Sequence, residues 1–450
     1  MKTGIIGTGY VGLVQGVILS EFGMNVLCMD VSEEKIKKLK HGESPIYEPG
    51  LSDMLKKNIE SGRLCFTTNM KKTVEESDVI FIAVGTPAQE DGSADLHYVM
   101  DVAKEIAGYI NDYKVIVDKS TVPVGTGKKV KTIIEKGISK RGLDIEFDVV
   151  SNPEFLREGK AISDCTNPDR IVIGSESEKA LHIMREIYDV FNVNQTPFVF
   201  TNIETAEMIK YASNAFLAVK ISFINEMALL AEKVNADVQE IARAMGMDGR
   251  ISPKFLHAGP GFGGSCFPKD TKAIVRIGKE NNLEMKVIQA AIEANDKQKE
   301  KMVEKIKSAM EKDGGVKNKI IAVLGLSFKP ETDDMRDSPA LDIVKGLVQD
   351  GAKIQAYCPE GMEEAKWRFK DIDTAIKYMN NEYEAAKDAD ALVIITEWYQ
   401  FRALDIKRIQ KNMRGQYFFD LRNIYVKKQD MLKEFEYHGV GVTRRESYEL

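Results

Sequence analysis

Lys2-Thr3-Gly4-Ile5-Ile6-Gly7-Thr8-Gly9-Tyr10-Val11-Gly12 is the stretch that decides the fold. A short apolar strand, Lys2 to Ile6, runs into a G-x-G-x-x-G, and the pattern from Tyr10 to Phe22 is helical. Asn25 to Asp30 reads as the next strand and ends on an acid. Strand, glycine turn, helix, strand and acid follow one another as in a mononucleotide-binding βαβ unit. Gly7 permits the tight turn, Gly9 lets a pyrophosphate approach the backbone, and Gly12 lets the helix close on the strand. The helix N-terminus at Tyr10 and Val11 accepts the phosphates. Asp30 suits the adenosine ribose hydroxyls and repels a 2′-phosphate, so the spacing favours NAD over NADP. The competing reading is a tight turn in an α/β protein without cofactor.

Outward from this unit, strands keep alternating with helical patterns, which implies parallel sheets. Asp78 to Val84, Lys114 to Asp118, Asp148 to Ser151 and Arg170 to Gly174 read as buried strands of a doubly wound domain over residues 1–200. A long helix is expected from Glu204 to Asn235. Ile209, Ala212, Phe216, Val219, Phe223, Met227 and Leu230 form one apolar stripe on it, and Leu217, Ile221, Ile224, Ala228 and Ala231 a second. A helix apolar on two faces needs cover on both, so a homodimer is expected through it. The pattern stays helical to about Lys312, closing a helical middle domain over 201–312. Asp313-Gly314-Gly315 breaks it. Lys319 to Gly325, Lys353 to Tyr357, Ala391 to Thr396 and Tyr417 to Asp420 are then the strands of a second alternating unit over 316–450. The fold class is therefore α/β, with two Rossmann-like doubly wound domains joined by a long central helix and a helical middle. The tail from Glu434, with Arg444-Arg445-Glu446, has no clear pattern.

The chain has 450 residues, too many for one ordinary domain, and a formal net charge of −6, which argues against nucleic-acid partners. The five cysteines are scattered, and no pair has zinc-ligand or redox-motif spacing, so no metal is expected. No basic segment and apolar core precede the first strand, and no apolar run approaches membrane-spanning length. A reduced, cytoplasmic protein without membrane partners is the expectation. Asn194-Gln195-Thr196, a glycosylation acceptor by pattern, is then idle.

The chemistry concentrates in Gly259-Pro260-Gly261-Phe262-Gly263-Gly264-Ser265-Cys266-Phe267-Pro268-Lys269-Asp270. A cysteine closes a glycine-dense loop where a helix begins. The positive end of the dipole and Lys269 favour its thiolate, and Asp270 lies four positions on. That is the arrangement of a covalent thiol nucleophile; a small residue filling a gap is the alternative. Asn152-Pro153-Glu154-Phe155-Leu156-Arg157-Glu158 has the look of a helix start with two acids four apart. Glu154 and Glu158 serve there either as general base and cofactor- or water-ordering group, or only as an acidic first turn. Lys210 and Asn214, four apart on the long helix, either meet a ligand or, for the lysine, reach solvent over its stem. Val84-Gly85-Thr86-Pro87 and Ser120-Thr121-Val122-Pro123-Val124-Gly125 follow strand carboxyl ends, the edge where open sheets bind ligands.

These motifs resemble those of the UDP-glucose/GDP-mannose dehydrogenase family from Met1 to about Tyr425. The resemblance implies a four-electron oxidation of UDP-glucose to UDP-glucuronate, with two hydride transfers to NAD and a thiohemiacetal and thioester on Cys266. Glu154 would activate the hydrolytic water, and Lys210, Asn214, a water near Asp270 and Thr121 would serve the reacting centre. It implies NAD contacts at Lys35, Thr86, Thr121, Glu158, Lys269 and Arg336. It implies UDP-sugar contacts at Glu154, Phe155, Leu156, Lys210, Asn214, Phe255, Leu256, His257, Gly259, Phe262, Gly263, Lys329 and Arg422, with Arg250 reaching in from a neighbouring subunit. Met335-Arg336-Asp337-Ser338-Pro339 starts a helix of the second unit. Three places depart from the family's pattern: Cys358 stands where aspartate is typical, Leu421 where glycine is common, and the tail continues past the usual end.

Three rival functions share parts of this pattern. A dehydrogenase of another nucleotide sugar, UDP-N-acetylmannosamine or GDP-mannose, fits the same motifs. A two-electron β-hydroxyacid dehydrogenase leaves Cys266 and the second alternating unit without purpose. A non-catalytic NAD-sensing protein would have lost a catalytic group, and none is lost.

Overall fold

A computed structural model describes residues 1–190 and 195–442. Asn194 of the glycosylation pattern and Arg444, Arg445 and Glu446 of the tail lie outside the described residues. The chain divides into two compact units, residues 1–213 with 276–283, and residues 214–275 with 284–450.

The first unit holds strands β1 (Lys2–Ile6), β2 (Asn25–Met29), β3 (Leu64–Thr67), β4 (Val79–Ile82), β5 (Lys114–Asp118), β6 (Phe147–Ser151), β7 (Ile171–Gly174) and β8 (Phe198–Thr201). Between them run α1 (Tyr10–Glu21), α2 (Glu33–Lys40), α3 (Leu51–Glu60), α4 (Met70–Glu76), α5 (His97–Tyr109), α6 (Thr126–Lys140), α7 (Ala161–Thr166) and α8 (Glu178–Tyr188). The eight strands lie in the order β3-β2-β1-β4-β5-β6-β7-β8. The first six give the order 3-2-1-4-5-6 of a dinucleotide-binding sheet. Its inner strands read as continuous apolar runs because both faces are covered. Ile5, Val79, Phe81, Val115 and Val117 pack on the side of α1, while Ile6, Ile80, Ile82 and Ile116 pack on the side of α5 and α6.

The sheet is not wholly parallel. β6 and β7 meet antiparallel, through the single pair Ser151 and Gly174. β3 and β8, both short, escaped the pattern reading.

Helix α9 (Ile203–Val234) is 32 residues long. It is long and apolar enough to cross a bilayer by length and composition alone, contrary to the sequence expectation. Buried lysine, asparagine and glutamate side chains interrupt it, and its Ile224, Ala228 and Ala231 are in the core of the second unit. The helical pattern does not continue unbroken to Lys312. After α10 (Val238–Gly246), residues 247–266 form a loop, then α11 (Phe267–Glu280) and α12 (Lys286–Met310) follow.

The second unit carries β9 (Ile320–Leu324), α13 (Pro339–Gln349), β10 (Lys353–Tyr357), α14 (Met362–Arg368), β11 (Ile376–Tyr378), α15 (Glu382–Ala385), β12 (Ala391–Ile394), α16 (Ile406–Asn412), β13 (Tyr417–Asp420) and β14 (Glu436–His438). All its strand pairs are parallel, in the order β11-β10-β9-β12-β13-β14. That is again 3-2-1-4-5-6. The tail judged patternless thus supplies an edge strand, Tyr417 to Phe419 pairing with Glu436 to His438. Ser338 caps α13 by accepting from the Ala340 N–H, with Pro339 in the first helical turn.

Candidate active site

The carboxyl edge of the first sheet begins at β1. Gly7 has φ +101°, and a Cβ there would lie 2.6 Å from the Ala83 carbonyl oxygen. A Cβ on Gly12 would lie 2.0 Å from the Gly7 oxygen, so α1 closes on the turn only through glycine. A Cβ on Gly9 would meet nothing within 4 Å. The turn is therefore tight where the backbone packs and open at the start of α1, as a pyrophosphate requires. Asp30, at the end of β2, accepts from the Thr8 N–H at 2.9 Å, the Thr8 hydroxyl at 2.7 Å and the Lys35 ammonium at 2.9 Å. Burial works to raise its pKa, but Lys35 and the Thr8 and Ser32 N–H groups outweigh it and hold the carboxyl below its ordinary value. These residues fit NAD. A 2′-phosphate would add negative charge beside this ionised group, so kcat/KM with NAD should exceed that with NADP about 100-fold or more. Comparable values in a steady-state comparison would take the ribose role away from Asp30. Thr86 donates to the Thr121 carbonyl at 2.8 Å, and the Ser120 hydroxyl to the Val84 carbonyl at 2.8 Å, tying the turns after β4 and β5 together.

Beyond β6, the sequence Asn152 to Glu158 is not a helix; α7 begins only at Ala161. Glu154 and Glu158 therefore do not share a helical face. The cause is visible in the backbone partners. The Glu154 carbonyl, which in a helix would bond four residues on, accepts from the Lys210 ammonium at 2.6 Å. The Arg157 N–H goes to Asp164 at 2.9 Å, and the Gly159 N–H to the Tyr10 hydroxyl at 2.8 Å and to Glu48 at 2.7 Å. Tertiary side chains have captured the groups that would have built the first turn.

The two acids consequently occupy different surroundings. Glu154 is 6% exposed, and its carboxylate contacts Lys210 Nζ at 2.9 Å and the Leu156 N–H at 2.6 Å. Burial raises its pKa; Lys210, the Leu156 N–H and the charge of Lys119 bring it below the ordinary value. The result is a buried carboxylate that is ionised at neutral pH. Glu158 is half-buried and electrostatically coupled to Tyr10, the first residue of α1. Phe155 lies beneath two cations, the Arg170 guanidinium at 3.7 Å and Lys210 at 5.3 Å from its ring centre.

In the second unit, Cys266 is the residue immediately before α11 and is half-buried, its sulfur 3.5 Å from the Ser265 hydroxyl. Asp270 sits one turn into α11, with its N–H bonded to the Cys266 carbonyl at 2.8 Å. Its buried carboxylate accepts from Asn214 at 2.6 Å and from the Lys269 ammonium at 2.5 Å. The preceding loop is fixed by close approach. A Cβ on Gly263 would lie 2.3 Å from the Asp337 carbonyl oxygen, and Gly264, at φ +85°, packs on Phe328. Asn295 of α12 holds Phe262 from both sides, accepting from its N–H at 2.7 Å and donating to its carbonyl at 3.1 Å.

The other expected contact residues fall into several environments. Leu256 and Phe262 are buried, Phe255 takes φ +65° and packs on Phe267, and His257 is exposed. Gly259 lies against Arg422, whose guanidinium donates to the Ile395 and Phe328 carbonyls and pairs with Glu397 at 3.0 Å. Arg336 pairs with Asp334 at 2.8 Å and Arg250 with Asp248 at 2.6 Å. Lys329 lies 5.2 Å from the Phe328 ring centre.

Sequence reading missed four supports of the site. Glu48 binds the Gly159 and Ala161 N–H groups and the Tyr10 hydroxyl. Glu207, pushed up to about 7 by burial, accepts from the Gly125 and Gly127 N–H groups at the start of α6. Lys119 and Asn152 form a third contact, taken up below. An acid three residues before Lys210, and a lysine ending an apolar strand, were the available signals.

A G-x-G-x-x-G turn opening α1, an acid following β2 and a thiol at a helix start are the features of an NAD-linked dehydrogenase. The chain matches the UDP-glucose/GDP-mannose dehydrogenase family in all three parts: its NAD binding domain over residues 1–192, its central domain over 204–297 and its UDP binding domain over 322–427. It is 51% identical over 444 residues to the UDP-glucose 6-dehydrogenase of Rhizobium meliloti, covering 98% of this chain and 99% of that protein. It is 47% identical over 440 residues to UDP-glucose 6-dehydrogenase TuaD of Bacillus subtilis, covering 98% and 93%. Among solved structures it resembles a UDP-glucose dehydrogenase from Pyrobaculum islandicum, with TM-score 0.88, 36% identity and 98% of each chain covered. It also resembles a UDP-D-ManNAc dehydrogenase from Pyrococcus horikoshii, with TM-score 0.85, 29% identity and 98% and 99% covered. The chain belongs to the UDP-glucose/GDP-mannose dehydrogenase family and is an NAD-dependent oxidoreductase.

Proposed function

We propose that the protein oxidises UDP-glucose to UDP-glucuronate, taking four electrons from one carbon. One observation carries the reading. Helix α9 presents Lys210, which grips Glu154, and one turn later Asn214, which grips the acid of the Cys266 helix. The chain thus supplies a base, a thiol and two oxyanion donors, the groups that this oxidation of a hydroxymethyl carbon needs.

The steps balance as follows. The alcohol loses a hydride and a proton to give the aldehyde. Cys266 adds through sulfur, and the oxygen of the thiohemiacetal is held by Lys210 and Asn214. Loss of a second hydride and proton gives the thioester. Water, deprotonated by Glu154, attacks the thioester carbonyl; the C–S bond breaks, releasing carboxylate and the Cys266 thiolate. One alcohol and one water thus yield one carboxylate, two hydrides and three protons. NAD, when bound at Gly7 to Gly12, Asp30, Lys35, Thr86, Thr121 and Glu158, is the hydride acceptor, with Lys269 and Arg336 as further contacts. Residues 1–200 serve NAD, 201–312 carry the thiol loop and the subunit contact, and 316–450 hold the UDP moiety through Lys329 and Arg422. Phe255, Leu256, His257, Gly259, Phe262 and Gly263 line the sugar nucleotide, with Phe155 and Leu156. Arg250 is exposed, as a residue reaching a neighbouring subunit would be.

Purified enzyme with UDP-glucose should release two NADH per substrate, with the carboxylate identified by mass. The second reading, a UDP-N-acetylmannosamine or GDP-mannose dehydrogenase, draws on the likeness to the Pyrococcus horikoshii structure. A substrate panel separates them: kcat/KM highest for either of those sugars overturns the UDP-glucose assignment.

We also propose a cytoplasmic homodimer without membrane or nucleic-acid partners. Phe216, Phe223 and Leu230, one every seventh residue of α9, are 64%, 41% and 54% exposed, with half-buried Val219 and Met227 between them. An apolar stripe of that length on a single chain calls for a protein partner. Light scattering at micromolar concentration should give twice the mass of one chain, and Phe216→Glu should halve it. A monodisperse monomer of the native protein rejects the dimer.

A further inference from the structure

Lys119, which directly follows β5, is 6% exposed, yet among the described residues its ammonium touches no carboxylate. Its Nζ donates to Asn152 Oδ1 at 3.0 Å and to the Tyr188 hydroxyl at 3.3 Å, and lies 5.6 Å from the Tyr188 ring centre. Tyr188 in turn donates to Asn152 Oδ1 at 2.5 Å, and Asn152 Nδ2 to the Val172 carbonyl at 2.7 Å. Asn152 stands two residues before Glu154, so the cluster pins the non-helical bend that delivers the base. A buried cation without a contacting counter-ion costs stability, and a methionine would fill the same space more cheaply. The charge therefore calls for an account beyond packing.

The groups around it supply one. Cys165 of α7 and Tyr188 of α8 are buried, and burial pushes both pKa values upward, so both are neutral at physiological pH. The Cys165 sulfur and then the Glu154 carboxylate favour the ammonium, and the like charge of Lys210 of α9 opposes it. Asp118, the last residue of β5, is buried as well, and burial and the charge of Glu207 raise its pKa well above the ordinary value. Burial brings the Lys119 pKa down to about 8, so the cation is present through neutral pH.

We infer that Lys119 is a positioning residue for Glu154: it locks the Asn152–Glu154 bend and adds a second positive charge that keeps the Glu154 carboxylate ionised. The inference rests on the proposed role of Glu154 as the hydrolytic base, and deepens it. Removing the charge raises the pKa of Glu154, and the acid limb of thioester hydrolysis moves to higher pH with it. Removing the hydrogen bonds frees the bend, and the rate falls at every pH.

Two variants separate the effects. Lys119→Gln keeps a donor to Asn152 and loses the charge. Its hydrolysis rate should match the native enzyme near pH 9, and its acid limb should move upward. Lys119→Met loses both; its rate should fall about tenfold across the range, with the same shifted limb. NAD binding, followed by fluorescence, checks that each variant is folded. A direct readout is independent of turnover: in protein labelled with carboxyl-13C glutamate, the Glu154 resonance, assigned by its absence in Glu154→Gln, should titrate at higher pH in Lys119→Gln. An unshifted Glu154 titration overturns the inference. So does a loss of rate in both variants with the native pH profile, the mark of a merely structural residue. If Glu154 titrates upward as expected while native enzyme with UDP-glucose gives no carboxylate, the electrostatic link stands and the function reading fails.

Discussion

Cys266→Ala should abolish carboxylate formation, by about a thousandfold or more, while NAD still binds. The sulfur stands immediately before the 14-residue helix α11, and a thiol adds to an aldehyde and leaves an acyl group more readily than the neighbouring Ser265 hydroxyl does. Alanine removes the sulfur and leaves the rest of the loop, with the Gly264 N–H still bonded to the Arg336 carbonyl at 2.7 Å. The first oxidation should survive at a low rate, because it needs hydride and proton transfer but no thiol. The measurement is the ratio of NADH to carboxylate under excess UDP-glucose. A variant that makes carboxylate at near-native rate would reduce Cys266 to a packing residue. Native enzyme that stops at one NADH per substrate would favour a two-electron dehydrogenase.

Glu154→Gln should divide the reaction at its last step. Glutamine has the same shape, and its oxygen can still accept from Lys210, so both hydride transfers remain possible. It cannot take a proton from water, and hydrolysis should slow by about 100-fold or more. The acyl group then stays on sulfur, and intact-mass spectra should show a Cys266 adduct that grows within one turnover. Normal turnover without an adduct would shift the base role to Glu158, which lies in the other environment beside Tyr10.

Most of the architecture was legible because its signals are local. Gly7 and Gly12 are each dictated by backbone within a few residues or one neighbouring strand, and Asp30 is marked by its distance along the chain. The cysteine at the start of α11 and the serine cap of α13 are equally local. What escaped was set by distant side chains. Asn152 to Glu158 has the composition of a helix start, yet Lys210, Asp164 and Glu48 hold its backbone in another shape. Strand β14 was invisible because three residues carry too little pattern; pairing with β13 makes it a strand. Lys119, between the strand ending at Asp118 and the turn beginning at Ser120, drew no reading from the sequence, and only its burial marks it out. Roles within the site depend on such long-range partners, so spacing alone left Glu154 and Glu158 equivalent where the fold makes them different.

The two side chains on α9 also carry a consequence for how this gene can change. Each residue of an α-helix turns the next by about 100° and advances it by about 1.5 Å. Four residues bring Asn214 back to the face of Lys210. One codon inserted or deleted between them would rotate every later side chain of the helix by more than a quarter turn, separating two grips that substitution elsewhere leaves intact. Between Lys210 and Asn214 the exposed Ala212 can change in identity, but the number of residues cannot, and length variation there should be absent from every functional descendant.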